Sequence, residues 1–264
     1  MLGRLSILII GLLLFGAVRM PLEEALRKEQ RAAHFHTAEL SINMREQIGQ
    51  GGFIAALSGF RSIVADLLYI RAHVAWENTE WGRMKLLFDA VTSLQPRATM
   101  FWEGAAWHMA YNASVAAYED PNQPREALRL KAQREYFQIG EQYLLRGTTF
   151  NQDRAVLFDR LGLLYQDKFK DPCRASWAYF EAAKRPDAMP YVKRLAVYNL
   201  AHCPGSEQRA YELLKELYHR GDSERLPTLL KRIEELQDKL NVPAAERIDT
   251  SKDWKVLNRS GFNK

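Results

Sequence analysis

AVLFDRLGLLYQDKFKDPCRASWAYFEAAKRP, residues 155–186, is the stretch on which the fold turns. The run Lys170-Asp171-Pro172 divides it into two halves. In the first half Phe158, Leu161, Gly162 and Tyr165 recur at spacings of three and four. That spacing puts them on one side of a helix. In the second half Ala175, Tyr179 and Ala182 repeat the pattern, and Pro186 follows the last apolar position. Gly162 and Ala175 are small, so two helices can close on each other. Tyr165 and Tyr179 are large enough to fill the space between one helix pair and the next. The reading is helix, turn, helix.

Working outward, the same grammar covers most of the 264 residues. A pair is expected at 65–77 and 81–94, ending at Pro96. A helix at 99–118, rich in Trp102, Trp107, Met109 and Tyr111, stops at the turn 119–124 with its two prolines. A longer helix follows at 125–145, with Gly147 placed as its C-terminal cap. Residues 154–169 pair with 173–184, and 191–202 with 207–219, the latter broken by Pro204-Gly205. A closing helix at 223–240 carries Lys231, Arg232, Glu234 and Glu235 as a polar outer face. The tail, 241–264, shows no period and reads as irregular. The class is all-α.

The amino terminus is different in kind. Residues 5–18 hold no charge and are bounded by Arg4 and Arg19. As a helix they reach about 21 Å, short of a hydrocarbon core of about 30 Å. With both arginines extended outward, residues 1–22 reach about 33 Å and can cross. The competing readings are a cleaved secretory signal and a buried helix. No A-x-A pattern precedes Arg19, which favours an uncleaved signal anchor. A stalk at 23–52 follows, ending in Gly49-Gln50-Gly51-Gly52. The next run, FIAALSGFRSIVADLLYI at 53–70, has only Arg61 and Asp66 as charges. Two charges at mid-depth are costly in a bilayer. A packed helix buried on most sides, near the membrane or against a partner, is therefore expected, the alternatives being an interfacial helix and a second span, with Gly59 permitting close approach of a neighbour.

The helix pairs resemble the tetratricopeptide repeat family. Phe158, Leu161-Gly162 and Tyr165 match the first helix of that repeat; Ala175, Tyr179, Ala182 and Pro186 match the second and its close. Looser matches are Ala72, Phe88 and Pro96, then Trp102 and Ala106, then Ala196, Ala210 and Leu214. Membrane-anchored bacterial proteins with divergent repeats are similar overall, including the stretch FRSIVADLLYIRA at 60–72. The resemblance implies a right-handed α-solenoid over 53–240, preceded by the transmembrane helix. It implies that first helices line an inner groove, where Tyr69, His73, Trp76, Glu103 and Trp107 would meet a protein partner; the competing reading is that the aromatics among them are core packing between helices. The Lys/Asn pattern that clamps a C-terminal carboxylate in some relatives is absent, with Tyr69 and His73 in two of its positions.

Cys173 and Cys203 lie thirty positions apart, close to one repeat, at the turns of consecutive pairs. Two readings stay open: free, partly buried thiols, or a disulfide stapling neighbouring repeats in an oxidising compartment.

Other chemistry has little support. The six histidines show no H-E-x-x-H spacing, the two cysteines form no C-x-x-C, and no metal site or cofactor is expected. Nucleophile-elbow, phosphate-loop and dinucleotide motifs are absent. A net charge of +5 spread without a basic block reads as a solvated exterior, not as a nucleic-acid surface. The expectation is a non-enzymatic subunit or assembly factor of a bacterial envelope complex, for transport, secretion or polysaccharide export. It would sit in the inner membrane through residues 1–22, in contact with the bilayer, with its repeats in the periplasm. The alternatives are a soluble periplasmic or cytoplasm-facing adaptor and, further off, a helical enzyme.

Overall fold

The structure, a computed structural model, describes residues 59–259, and side chains as far as residue 257. The expected anchor and stalk, and residues 53–58 of the apolar run, lie outside the described residues. Every regular element among those residues is helical, with no strand. The chain forms two compact units that divide after Pro96.

In the first unit α1 (Arg61–Glu77) packs on α2 (Trp81–Leu94). Ala65, Ala72 and Ala75 form the buried face of α1, and Met84, Phe88 and Val91 that of α2. Alanines at spacings of seven and three let the helix axes come close while the partner supplies the volume. Gly59 acts differently from expectation. Its φ of 80° makes it the left-handed residue of the turn before α1, a conformation that a Cβ disfavours.

The second unit begins with α3 (Thr99–Trp107), which continues through a π turn at His108–Ala113 into the short α4 (Ser114–Tyr118). All three pack on the long α5 (Glu126–Phe150). The expected helix end at Gly147 is corrected here. The helix runs on to Phe150, and a Cβ on Gly147 would lie 2.8 Å from Trp102 and 2.9 Å from Leu157. Glycine is needed at this crossing, not at a cap. Asn151 ends the helix, its side-chain amide donating to the Gly147 carbonyl at 3.0 Å.

Helix α6 (Ala155–Leu164) continues through a second π turn, Tyr165–Phe169, and meets α7 (Pro172–Ala183). Between them Lys170 adopts φ 53°, and Asp171 caps α7 by accepting from the Arg174 amide at 2.9 Å. Pro172 sits at the first helical position, where no N–H is required. Helix α8 (Tyr191–Leu200) packs on α7, α9 (Glu207–His219) on α8, and α10 (Pro227–Lys239) on α9. Helices α3 and α6 also touch directly, as do α8 and α10. The end of the unit is held by Leu200, Tyr211, Leu214, Leu217, Leu229, Ile233 and Leu236.

The tail departs from its expected irregularity by forming α11 (Ser251–Arg259). One of its anchors, Glu234, comes from the supposedly solvated face of α10, and another, Tyr218, from α9. Trp254 Nε1 donates to Glu234 at 2.6 Å, and Thr250 also donates to that carboxylate. Tyr218 donates to Asp253 at 2.7 Å. Gln237, buried, accepts from Tyr211 at 3.1 Å and from the Ile248 amide at 2.6 Å, pinning the returning chain. These partners are non-local, so no period in the tail announces them.

Candidate functional site

The five residues expected to face a partner fall in both units, and each group is described by itself. In the first unit Tyr69, His73 and Trp76 stand at i, i+4 and i+7 along α1 and share one side of it. Tyr69 is half-buried, with its ring 5.9 Å from Phe88 and 4.5 Å from His73, edge-on to each. His73 Nδ1 lies 3.0 Å from the Tyr69 carbonyl. Trp76 is exposed. Another side of α1 carries an unexpected row: Ile63, Leu67, Ile70 and Val74, 46–59% exposed. Within the described fold, residues 59–70 of this run are therefore not buried on most sides. The helix buries its alanines and leaves the branched residues outside, because small residues allow the close approach to α2.

In the second unit Glu103 and Trp107 lie on α3. Glu103 is half-buried and accepts from Arg160 of α6 at 3.1 Å. Trp107 is 51% exposed and stacks on Tyr111 of the first π turn, centroids 4.2 Å apart. Lys168, from the second π turn, places its ammonium 4.3 Å from the Tyr111 ring centroid and 5.6 Å from that of Phe137. The two π turns therefore meet. Such turns, inserted in otherwise regular helices, recur at functional sites.

Beside this junction lies a set of residues that sequence reading did not assign to a site. Asp159 is buried, bonded by Tyr191 at 3.0 Å and Arg160 at 3.2 Å. Burial raises its carboxyl above the ordinary range, and these two partners only partly offset the rise. Asn199 donates to Gln166 at 3.0 Å, so α8 is tied both to α6 and to the second π turn. Tyr111 is pushed up to about 12, first by burial and then by Asp167. Tyr179 is wholly buried and raised by burial, then by Asp159 and Asp167. The one available sequence signal was Asp159 itself, a carboxylate between Phe158 and Leu161-Gly162 on the packed side of a helix.

A second cluster braces the far side of the turn. Arg174 pairs with Glu141 at 3.0 Å and Asp171 at 2.8 Å, and covers the rings of Tyr165 and Phe169 at 4.4 and 4.7 Å. Tyr165 donates to Glu141 at 2.8 Å, and burial and that carboxylate raise its hydroxyl. This cluster ties α5, the second π turn and α7.

Cys173, in the first turn of α7, and Cys203, in the turn after α8, are bridged, with sulfurs 2.07 Å and Cα atoms 4.9 Å apart. Among the described residues no three His, Cys, Asp or Glu side chains gather as metal ligands. Nor is any helix there long and apolar enough to cross a membrane. A shallow pocket of about 440 Å³ lies where α3 and α6 begin. Ion pairs on its rim, Arg97 with Asp153 and Arg154 with Asp187, occupy its charges.

Comparison with protein-family models, with curated proteins and with solved structures finds no match to this chain.

Proposed function

We propose that this chain is a non-enzymatic, protein-binding subunit or assembly factor of a bacterial envelope complex serving transport, secretion or polysaccharide export. Its helix pairs form a tetratricopeptide-like, right-handed solenoid, and residues 1–22 anchor it in the inner membrane with the repeats in the periplasm. One observation carries the reading. Helices α3, α6 and α8 are cross-linked in order by Glu103–Arg160 and Asp159–Tyr191, and an open aromatic residue, Trp107, stands on the first of them. First helices set side by side make a continuous surface for a partner, with each helix pair adding to its length. Exposed aromatic side chains are efficient contacts because they bury much area at low entropic cost. The bridge between Cys173 and Cys203 favours the periplasmic side over a cytoplasm-facing one, since disulfides persist in oxidising compartments.

The experiment is extraction and capture. The full chain should resist alkaline carbonate extraction from membranes, be cut by protease added to the periplasm, and copurify with a membrane partner in mild detergent. Release by carbonate would overturn the anchor. Protection from periplasmic protease would reverse the topology. A free monomer under several detergents would overturn the subunit reading.

A further inference from the structure

One helix of the first unit carries an apolar line on its exposed side. Phe60, at the N-terminal end of α1, and Ile63, Leu67, Ile70 and Val74 within it are 37–59% exposed. They follow one another at intervals of three, four, three and four. Single apolar residues scattered on a surface need no explanation, but five in one line do. The buried alanines, Ala65, Ala72 and Ala75, lie on the opposite side of the helix, and α1 packs on α2. A helix that covers one core needs one apolar stripe. This one has two. Alternation of three and four is the seam spacing of a coiled coil, which keeps a stripe against another helix over its whole length.

The charges beside the line select which helix fits. Asp66 and Glu77 flank it on one side and Arg71 on the other. All three are exposed and form no ion pair among the described residues. A second α1 laid parallel to the first sets the acidic flank of each copy against the basic flank of the other. Asp66 then pairs with Arg71 of the other copy, five positions on, the flanking pairing of a parallel coiled coil, and symmetry forms it twice. An antiparallel copy would bring acidic flank to acidic flank, which repels. A bilayer surface fits less well, because a helix lying on lipid carries lysine and arginine beside its apolar face.

We infer that α1 is a self-association surface, packing in parallel on α1 of another copy of this chain through the line from Phe60 to Val74, with Asp66–Arg71 pairs along its flanks. The inference stands on α1 alone and goes beyond the proposed binding of a different protein. Parallel packing sends the amino-terminal segments off the same end, as chains anchored in one membrane require. Phe60, Leu67 and Val74 take the a positions of a heptad and Ile63 and Ile70 the d positions, a choice that admits three or four strands as well as two.

The test uses the full chain in mild detergent, with its mass read by sedimentation equilibrium. A mass of two or more chains is expected. Ile70→Lys should weaken association at least about ten-fold by placing a charge in the seam. Asp66→Arg and Arg71→Asp should each weaken it several-fold, and the double exchange should restore it. These sites are exposed, so helix content should not change. The native cysteines are bridged, so Leu67→Cys adds a lone thiol. In a parallel seam position 67 faces itself, and mild oxidation should link chains through it, whereas Lys131→Cys, exposed on α5, should not link. A monomeric parent overturns the inference, as does association that survives Ile70→Lys and both charge changes. A monomeric parent whose binding to phosphatidylglycerol vesicles falls in Ile70→Lys would give the line to the bilayer instead. Self-association without capture of a membrane partner would keep this surface and overturn the envelope-subunit reading, and partner capture by a monomer would do the reverse.

Discussion

At the scale of single residues, Gly162 and Tyr179 hold each other in place. The spacing of the helix marks Gly162 as a position that must be small. Its actual neighbour, the flat face of a wholly buried tyrosine from the next helix, is known only once the two helices are packed. A Cβ there would approach ring atoms to 2.7 Å, and the ring, enclosed on all sides, has nowhere to move. Gly162→Val is therefore expected to lower the unfolding free energy by about 1–3 kcal/mol, the range for overpacking a filled core. The shift of the urea midpoint measures it, and an unchanged midpoint would show the contact to be slack. Asp159 illustrates the opposite case. Its carboxylate was visible on the packed side of the helix, but its partners come from Tyr191, 32 positions on, and from Arg160, whose side chain also reaches Glu103. Nothing in the local pattern distinguishes such a bonded carboxylate from a helix error.

At the scale of elements, helix pairs were readable because each face recurs at three and four residues. Their ends were less so. Gly147 has the composition of a cap and the role of a helix crossing, and only the approach of Trp102 and Leu157 separates the two. The tail helix α11 was missed because its determinants, Glu234, Gln237 and Tyr218, lie on other helices. Cysteine spacing left two states open, and the packing of α7 on α8 brings the sulfurs to bonding distance. The bridge joins positions thirty apart. In the chain-entropy account it contributes about 3–4 kcal/mol by restricting the unfolded chain. Unfolding in urea with and without reductant should differ by that amount, as should Cys173→Ala/Cys203→Ala against the parent. A difference below 1 kcal/mol would mean that strain in the folded state cancels the gain, or that the thiols are not joined in solution.

At the scale of the molecule, the division after Pro96 separates two units with their own internal packing. The second contains its own apolar cluster, the Arg174 network and the disulfide. A fragment of residues 97–264 is thus expected to keep its helical circular dichroism and melt cooperatively. Loss of a cooperative melt would show that its core depends on the first ninety-six residues. The all-helical class and the positions of the helix pairs were decided along the chain itself, since a helix writes its buried face into local spacing. The apolar amino terminus is legible in the same way, as a run without charge. The polar cluster at the junction of the two π turns is not. It gathers Trp107, Tyr111, Asp159, Tyr191 and Tyr179 from four helices and the first π turn, with Lys168 of the second π turn on the Tyr111 ring, and leaves the Tyr111 and Tyr179 hydroxyls without hydrogen-bond partners. Which polar groups are left without partners depends on every neighbour at once, and that is settled only when the helices pack.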